Sequence, residues 1–121
     1  MKVMRLSNIP EQPYEHHIFT GGAVKRQPVV TGDMTGALEL VNVHFSTGAR
    51  CKFHTHTVDQ VLVVTSGTGI VATEGEEMTV TVGDVIHFPA GEKHRHGATK
   101  DSEFSHLYVW VPGGTTEVIG D

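Results

Sequence analysis

Gly48-Ala-Arg-Cys-Lys-Phe-His54-Thr-His56-Thr-Val-Asp-Gln60, followed downstream by Gly83-Asp-Val-Ile-His-Phe-Pro89-Ala-Gly91-Glu-Lys-His94, decides how this chain reads. Side chains alternate between the two faces of an extended strand, so positions 54, 56 and 60 share one face. Two imidazoles and an amide oxygen then converge on one point, and His94 brings a third imidazole from a later strand. A lone His-x-His is better explained as strand histidines on a solvent face. With Gln60, His94 and the spaced glycines also present, the four side chains read as a metal site.

Outward from these motifs, the chain breaks into short β-type runs separated by Gly, Asp or Pro. They cover 23–30, 37–46, 51–56, 59–65, 69–74, 77–82, 84–88, 94–98 and 104–111. No window carries a 3.6-residue apolar stripe, so the chain is read as all-β, a sandwich or barrel. Residues 1–17 read as a polar N-terminal arm, 18–112 as the barrel and 113–121 as a C-terminal tail that frays. Parity places Leu62 and Val64 inside with Gln60, and puts His94, His96 and Ala98 on one face. It also turns His87 inward, as barrel filling, and turns Cys51 away from His54, as an inert buried thiol. Phe53 and Phe88 read as core, as do Tyr108 and Trp110 unless they shape a pocket. His16, His17 and His44 read as surface or packing residues, and Lys93 as a surface charge.

The 121 residues suit one domain, and 14 glycines fit a fold with many turns. A net charge of −5 with no run of Lys or Arg argues against nucleic acid or an anionic membrane as partner. Cys51 is the only cysteine, which excludes an internal disulfide and a cysteine-rich zinc site. No stretch has the length of a signal peptide or a membrane span, so a cytoplasmic location is expected.

The two motifs resemble those of the cupin superfamily, small double-stranded β-helix (jelly-roll) barrels. The first cupin motif appears as Gly48, His54, His56, Gln60 and Gly67, with Gln where the family usually has Glu. The second appears as Gly83, Pro89, Gly91 and His94, with Ala98 in the place of Asn. A narrower likeness runs through Gly91-Glu-Lys-His94-Arg-His96-Gly97-Ala98 and Ser105-His106-Leu107. These resemble small bacterial cupins that include manganese-dependent hydroxynitrile lyases. That resemblance implies one divalent ion, manganese before iron, nickel, cobalt or zinc, on His54, His56, Gln60 and His94. It implies His96 and His106 as catalytic histidines beside the ion, and a homodimer, for which Ile18 to Val30 is the candidate edge.

Three imidazoles and a neutral amide leave a divalent ion its full charge, which favours binding of anions. With no carboxylate to stabilise a trivalent state, the set favours lyase over oxygen chemistry. The expected function is a metal-dependent lyase acting on a small hydroxylated or carbonyl compound. The alternatives are a dioxygenase, or a non-enzymatic cupin binding a small acid or sugar.

Overall fold

The computed structural model describes residues 1–121 and contains twelve strands. These are β1 (Gln12–Pro13), β2 (Phe19–Thr20), β3 (Val24–Val30), β4 (Glu39–Phe45), β5 (Arg50–Cys51) and β6 (Phe53–His56). They continue with β7 (Gln60–Thr73), β8 (Glu77–Thr81), β9 (Val85–Phe88), β10 (His94–Ala98), β11 (Phe104–Trp110) and β12 (Thr116–Gly120). A short 3-10 turn, Leu6–Asn8, is the only helical element, as the absence of helical periodicity predicts.

All pairings are antiparallel and form two faces of a jelly-roll barrel. One face runs β1-β3-β4-β11-β7-β9. The other runs β12-β6-β10-β7-β8, with β5 in line with β6 against β10 and β2 outside β5. β7 belongs to both faces. Its first half pairs β11 and β9, and its second half pairs β10 and β8. The sequence predicts two strands here, 59–65 and 69–74, and the structure joins them into one bent strand. The bend sits at a register shift opposite Ser105 and His106 and at Gly67, whose φ of +70° suits glycine. The buried set accordingly moves from Gln60, Leu62 and Val64 before the bend to Gly69 and Val71 after it.

Phe45, Phe104 and Leu62 are fully enclosed in the core between the faces. Burying each such side chain contributes about 1.5–3 kcal/mol. Asn42 and Ser105 are also buried, on the outer side of their strands, and both bond to Thr65, Asn42 through its Oδ1 at 2.9 Å and Ser105 through its Oγ at 2.8 Å. Gln27 links Asn42 (2.9 Å) to the carbonyls of Leu6 and Ile9 (3.0 and 2.8 Å), which docks the start of the N-terminal arm.

Four expectations need correction. The segment after Pro112 does not fray as a whole, because Thr116–Gly120 pairs with β6. His87 faces solvent: it lies opposite the outward Val61, while Phe88, opposite Gln60, is the residue turned inward. Cys51 is buried as expected but does not turn away from His54. The chain breaks register at Lys52 between β5 and β6, so parity does not carry across, and both side chains reach the interior. Phe53 is half-buried on the outer surface, where Arg95 and Lys93 lie over its ring at 4.7 and 5.4 Å.

Gly97 packs directly on the next strand. A Cβ there would collide with Arg50 Cα and sit 2.7 Å from the Ala49 carbonyl oxygen, whereas one at Gly36 would meet nothing. Gly97→Ala should therefore cost about 2 kcal/mol or more, and Gly36→Ala should change stability by less than about 1 kcal/mol. Urea unfolding of the two variants beside the parent checks the contrast.

Candidate metal centre

His54 and His94 are direct cross-strand partners on β6 and β10, so their rings meet at 4.3 Å between centroids. His56 follows two residues along β6 on the same face, with its ring 4.8 Å from that of His54 and 5.2 Å from that of His94. One donor nitrogen from each of the three lies within 4.8 Å of the others, and all three residues are buried. Gln60, the first residue of β7, is buried at the same cavity. The three imidazoles therefore cluster as the strand pairing dictates, and Gln60 lines the same cavity as His54 and His56 from the start of β7, beyond the break at residues 57–59, rather than along one continuous strand as the sequence suggests.

Their hydrogen bonding fixes which atoms are free. His54 Nδ1 lies 2.7 Å from the Lys52 carbonyl oxygen, and His94 Nδ1 lies 2.8 Å from that of Glu92. A carbonyl only accepts, so both rings carry the proton on Nδ1 and keep a lone pair on Nε2. His56 Nδ1 lies 2.9 Å from the Thr116 hydroxyl, which can donate or accept. His56 Nε2, His94 Nε2 and Gln60 Oε1 are buried with no hydrogen-bond partner. Buried acceptors left bare cost free energy unless something else meets them. Neutral imidazoles held from behind by oxygen acceptors are the usual donors to a divalent ion. The residues present fit such an ion, and its kind is not fixed by nitrogen and oxygen donors.

The surrounding turns keep the donors in place. Gly91 N–H donates to the His56 carbonyl at 2.8 Å, which joins the Pro89–Gly91 turn to the His56 strand. Asp59, next to Gln60, accepts from Ala90 N–H at 2.8 Å and from His87 Nε2 at 2.9 Å. Outward-facing His87 therefore braces the turn leading to His94. Phe88 stacks on the His94 ring at 3.9 Å and 17°, fixing its plane from inside.

A cavity of about 90 Å³ adjoins His54, His56 and Gln60 and is also lined by His96, His106 and Cys51. His106 Nε2 and His96 Nδ1 lie 3.2 Å apart, and Cys51 Sγ lies 3.9 Å from both His96 nitrogens. His106 Nδ1 is buried without a partner. Burial pushes the imidazoles of His54, His56, His94 and His106 down to about 4, and His96 well below its ordinary value. All five rings are therefore free bases at neutral pH. Burial also pushes the Cys51 thiol up, which keeps it protonated and unreactive.

Several cavity residues lie outside the motifs, among them His16, which the sequence placed with the surface or packing residues. Thr116 comes from β12, in the segment expected to fray. Tyr14 and His16 come from the N-terminal arm and carry no motif. Tyr108 and Trp110 are half-buried and line the cavity.

A family profile for the cupin domain matches residues 41–111. The chain is a cupin. Over 92 residues, 75% of this chain and 70% of the relative, it is 37% identical to the (R)-mandelonitrile lyase of Granulicella tundricola. A cupin-like protein from Thermotoga maritima superposes with a TM-score of 0.81 at 27% identity, covering 100% of this chain and 90% of that one. The polyketide cyclase RemF from Streptomyces resistomycificus superposes at 0.83 but is 15% identical, covering 100% of this chain and 88% of that one, and so shares the fold alone. Within this cupin, no helix is long and apolar enough to cross a membrane.

The buried imidazoles make stability depend on pH. In the unfolded chain they take up protons near 6.5, and in the folded protein only near 4, so the unfolded state binds more protons between those values. The stability present above pH 6.5 is lost as pH falls toward 4, each group adding up to about 1.4 kcal/mol per pH unit. Thermal unfolding of metal-free protein should show a steep fall in Tm over that window. A flat profile would mean the rings are not enclosed as free bases.

Proposed function

We propose that this cupin is a metal-dependent lyase that cleaves a small α-hydroxynitrile, one bearing an aryl group, into a carbonyl compound and hydrogen cyanide. The observation that carries the reading is a cavity lined by His54, His56 and Gln60, beside which His94 pairs across the strands with His54, together with a separate pair of free-base imidazoles, His96 and His106. The 37% identity to a mandelonitrile lyase supports the choice of substrate. Manganese is taken as the ion on the strength of the family resemblance, ahead of iron, cobalt, nickel and zinc. A divalent ion on these donors supplies Lewis acidity with its full double charge, because no donor is anionic.

The protein's own part is proton transfer. His106 accepts the proton of the substrate hydroxyl, being a free base in a water-poor pocket. The bond between the carbinol carbon and the nitrile carbon breaks, and its electron pair leaves on cyanide while the carbon–oxygen bond becomes a carbonyl. The proton on His106 then passes to cyanide. The short His96–His106 contact orients His106 and shares the transient positive charge. Charge selection by Gln60 explains why the family's usual Glu is absent: a carboxylate would weaken the hold on the departing anion. The protein is further proposed to act as a homodimer in the cytoplasm. β1 already covers one end of the β3 edge, so the remaining edge of β3 is the place for a second copy.

The test is release of benzaldehyde from racemic mandelonitrile by manganese-loaded protein. His106→Ala should lower kcat/KM about 100-fold or more while bound metal stays at the parent level. Parent-like turnover in His106→Ala would remove His106 as the base. No turnover by the loaded parent would favour a binding cupin.

A further inference from the structure

The N-terminal arm crosses the open end of the barrel. It is pinned to one face where β1 pairs β3, and to the other where β2 pairs β5. Between these anchors, Tyr14 N–H donates to the Val24 carbonyl at 2.9 Å, and Lys52 N–H donates to that of Ile18 at 2.7 Å. His16 Nδ1 accepts the Ile18 N–H at 3.0 Å, which rounds the strap inward. A Cβ on Gly21 would sit 2.6 Å from the Gly48 carbonyl oxygen, so the strap lies directly against the first motif's glycine. Tyr14, His16, Ile18 and Phe19 of this strap line the same cavity as His54, His56 and Gln60.

Aromatic rings also line that cavity and stand edge to face. Tyr14 and Phe19 meet at 4.9 Å and 73°, Phe19 and Phe45 at 5.9 Å and 78°, and Tyr108 and Trp110 at 5.5 Å and 77°. Such walls accept a flat ring through the same edge-to-face contacts they make with one another. Tyr14 is itself held in place. Arg26 projects inward from β3 with its guanidinium 4.7 Å from the Tyr14 ring centre. Arg26 Nε is buried with no hydrogen-bond partner, and Arg26 belongs to none of the protein's ion pairs. A partly buried guanidinium without a carboxylate is costly, and its evident contact is the Tyr14 face.

We propose that Tyr14 is a specificity-determining residue: with Phe19 and Trp110 it grips the aryl group of the substrate, and Arg26 positions it. The inference rests on the cavity being the substrate site of the proposed lyase, but its test needs neither metal nor turnover. Trp110 is the only tryptophan and faces the cavity, so its fluorescence reports occupancy.

Metal-free protein is titrated with benzyl alcohol and with cyclohexylmethanol, alcohols of similar bulk that differ in having a flat or a puckered ring. The parent should bind benzyl alcohol several-fold more tightly. Tyr14→Phe should keep that preference, while Tyr14→Ala should lose about tenfold in benzyl alcohol affinity and with it the preference. Arg26→Met should weaken benzyl alcohol binding in the parent but have no further effect in the Tyr14→Ala background, as coupled residues require. Circular dichroism and the Tm of each variant establish that it is folded, and Tyr14→Leu replaces Tyr14→Ala should the latter unfold. A folded Tyr14→Ala or Tyr14→Leu with parent affinity and preference overturns the proposal, as does a parent that does not discriminate the two alcohols. Absence of mandelonitrile turnover alongside the expected binding pattern would sink the lyase reading and leave the role of Tyr14 standing.

Discussion

Three imidazole lone pairs pointing at one buried spot constrain everything around them. Were the rings protonated, their charges would repel in a setting that solvates them poorly. As free bases, they leave His56 Nε2 and His94 Nε2 buried with nothing to accept from. A divalent cation would meet all three together with the Gln60 oxygen. The protein accordingly supports each ring from behind, His54 and His94 by backbone carbonyls and His56 by Thr116. The desolvation that would be a defect in a storage protein is what makes the site receptive.

The fold delivers this arrangement through strand pairing. His54 and His94 face one another because β6 and β10 are antiparallel neighbours, and Gln60 arrives because β7 begins there. The bend at Gly67 lets β7 serve both faces, and so closes the barrel beside the histidines. Ties that lie outside the cavity, Asp59 to Ala90 and Gly91 to His56, set the loops between the donor strands. The same enclosure keeps His96 and His106 unprotonated, which a proton acceptor requires.

How much of this could be read beforehand depended on range. His54 and His56 were legible because they lie two residues apart on one strand, where the side-chain period of two holds; Gln60 also reaches the cavity, but from the start of β7, beyond a break at residues 57–59 across which that period does not carry. His94 was legible from the glycines and proline fixed around it. His87 was misplaced because parity has no anchor on a strand bounded by turns, and Phe88 took the inward position. Cys51 was mis-phased by the break at Lys52. Tyr14, His16 and Thr116 were illegible for a different reason. Each joins the cavity through contacts made far along the chain, β1 with β3, β2 with β5 and β12 with β6, and no local pattern encodes such docking.

The central claim is that His54, His56, Gln60 and His94 grip a single ion. Elemental analysis of protein purified without chelator or an immobilised-metal column tests it most directly, with metal-depleted protein then titrated with manganese. The account predicts about one divalent ion per chain in the parent and almost none in His54→Ala or His94→Ala variants that remain folded. Parent protein that neither carries nor takes up a divalent ion, or alanine variants that hold it as firmly as the parent, would contradict it.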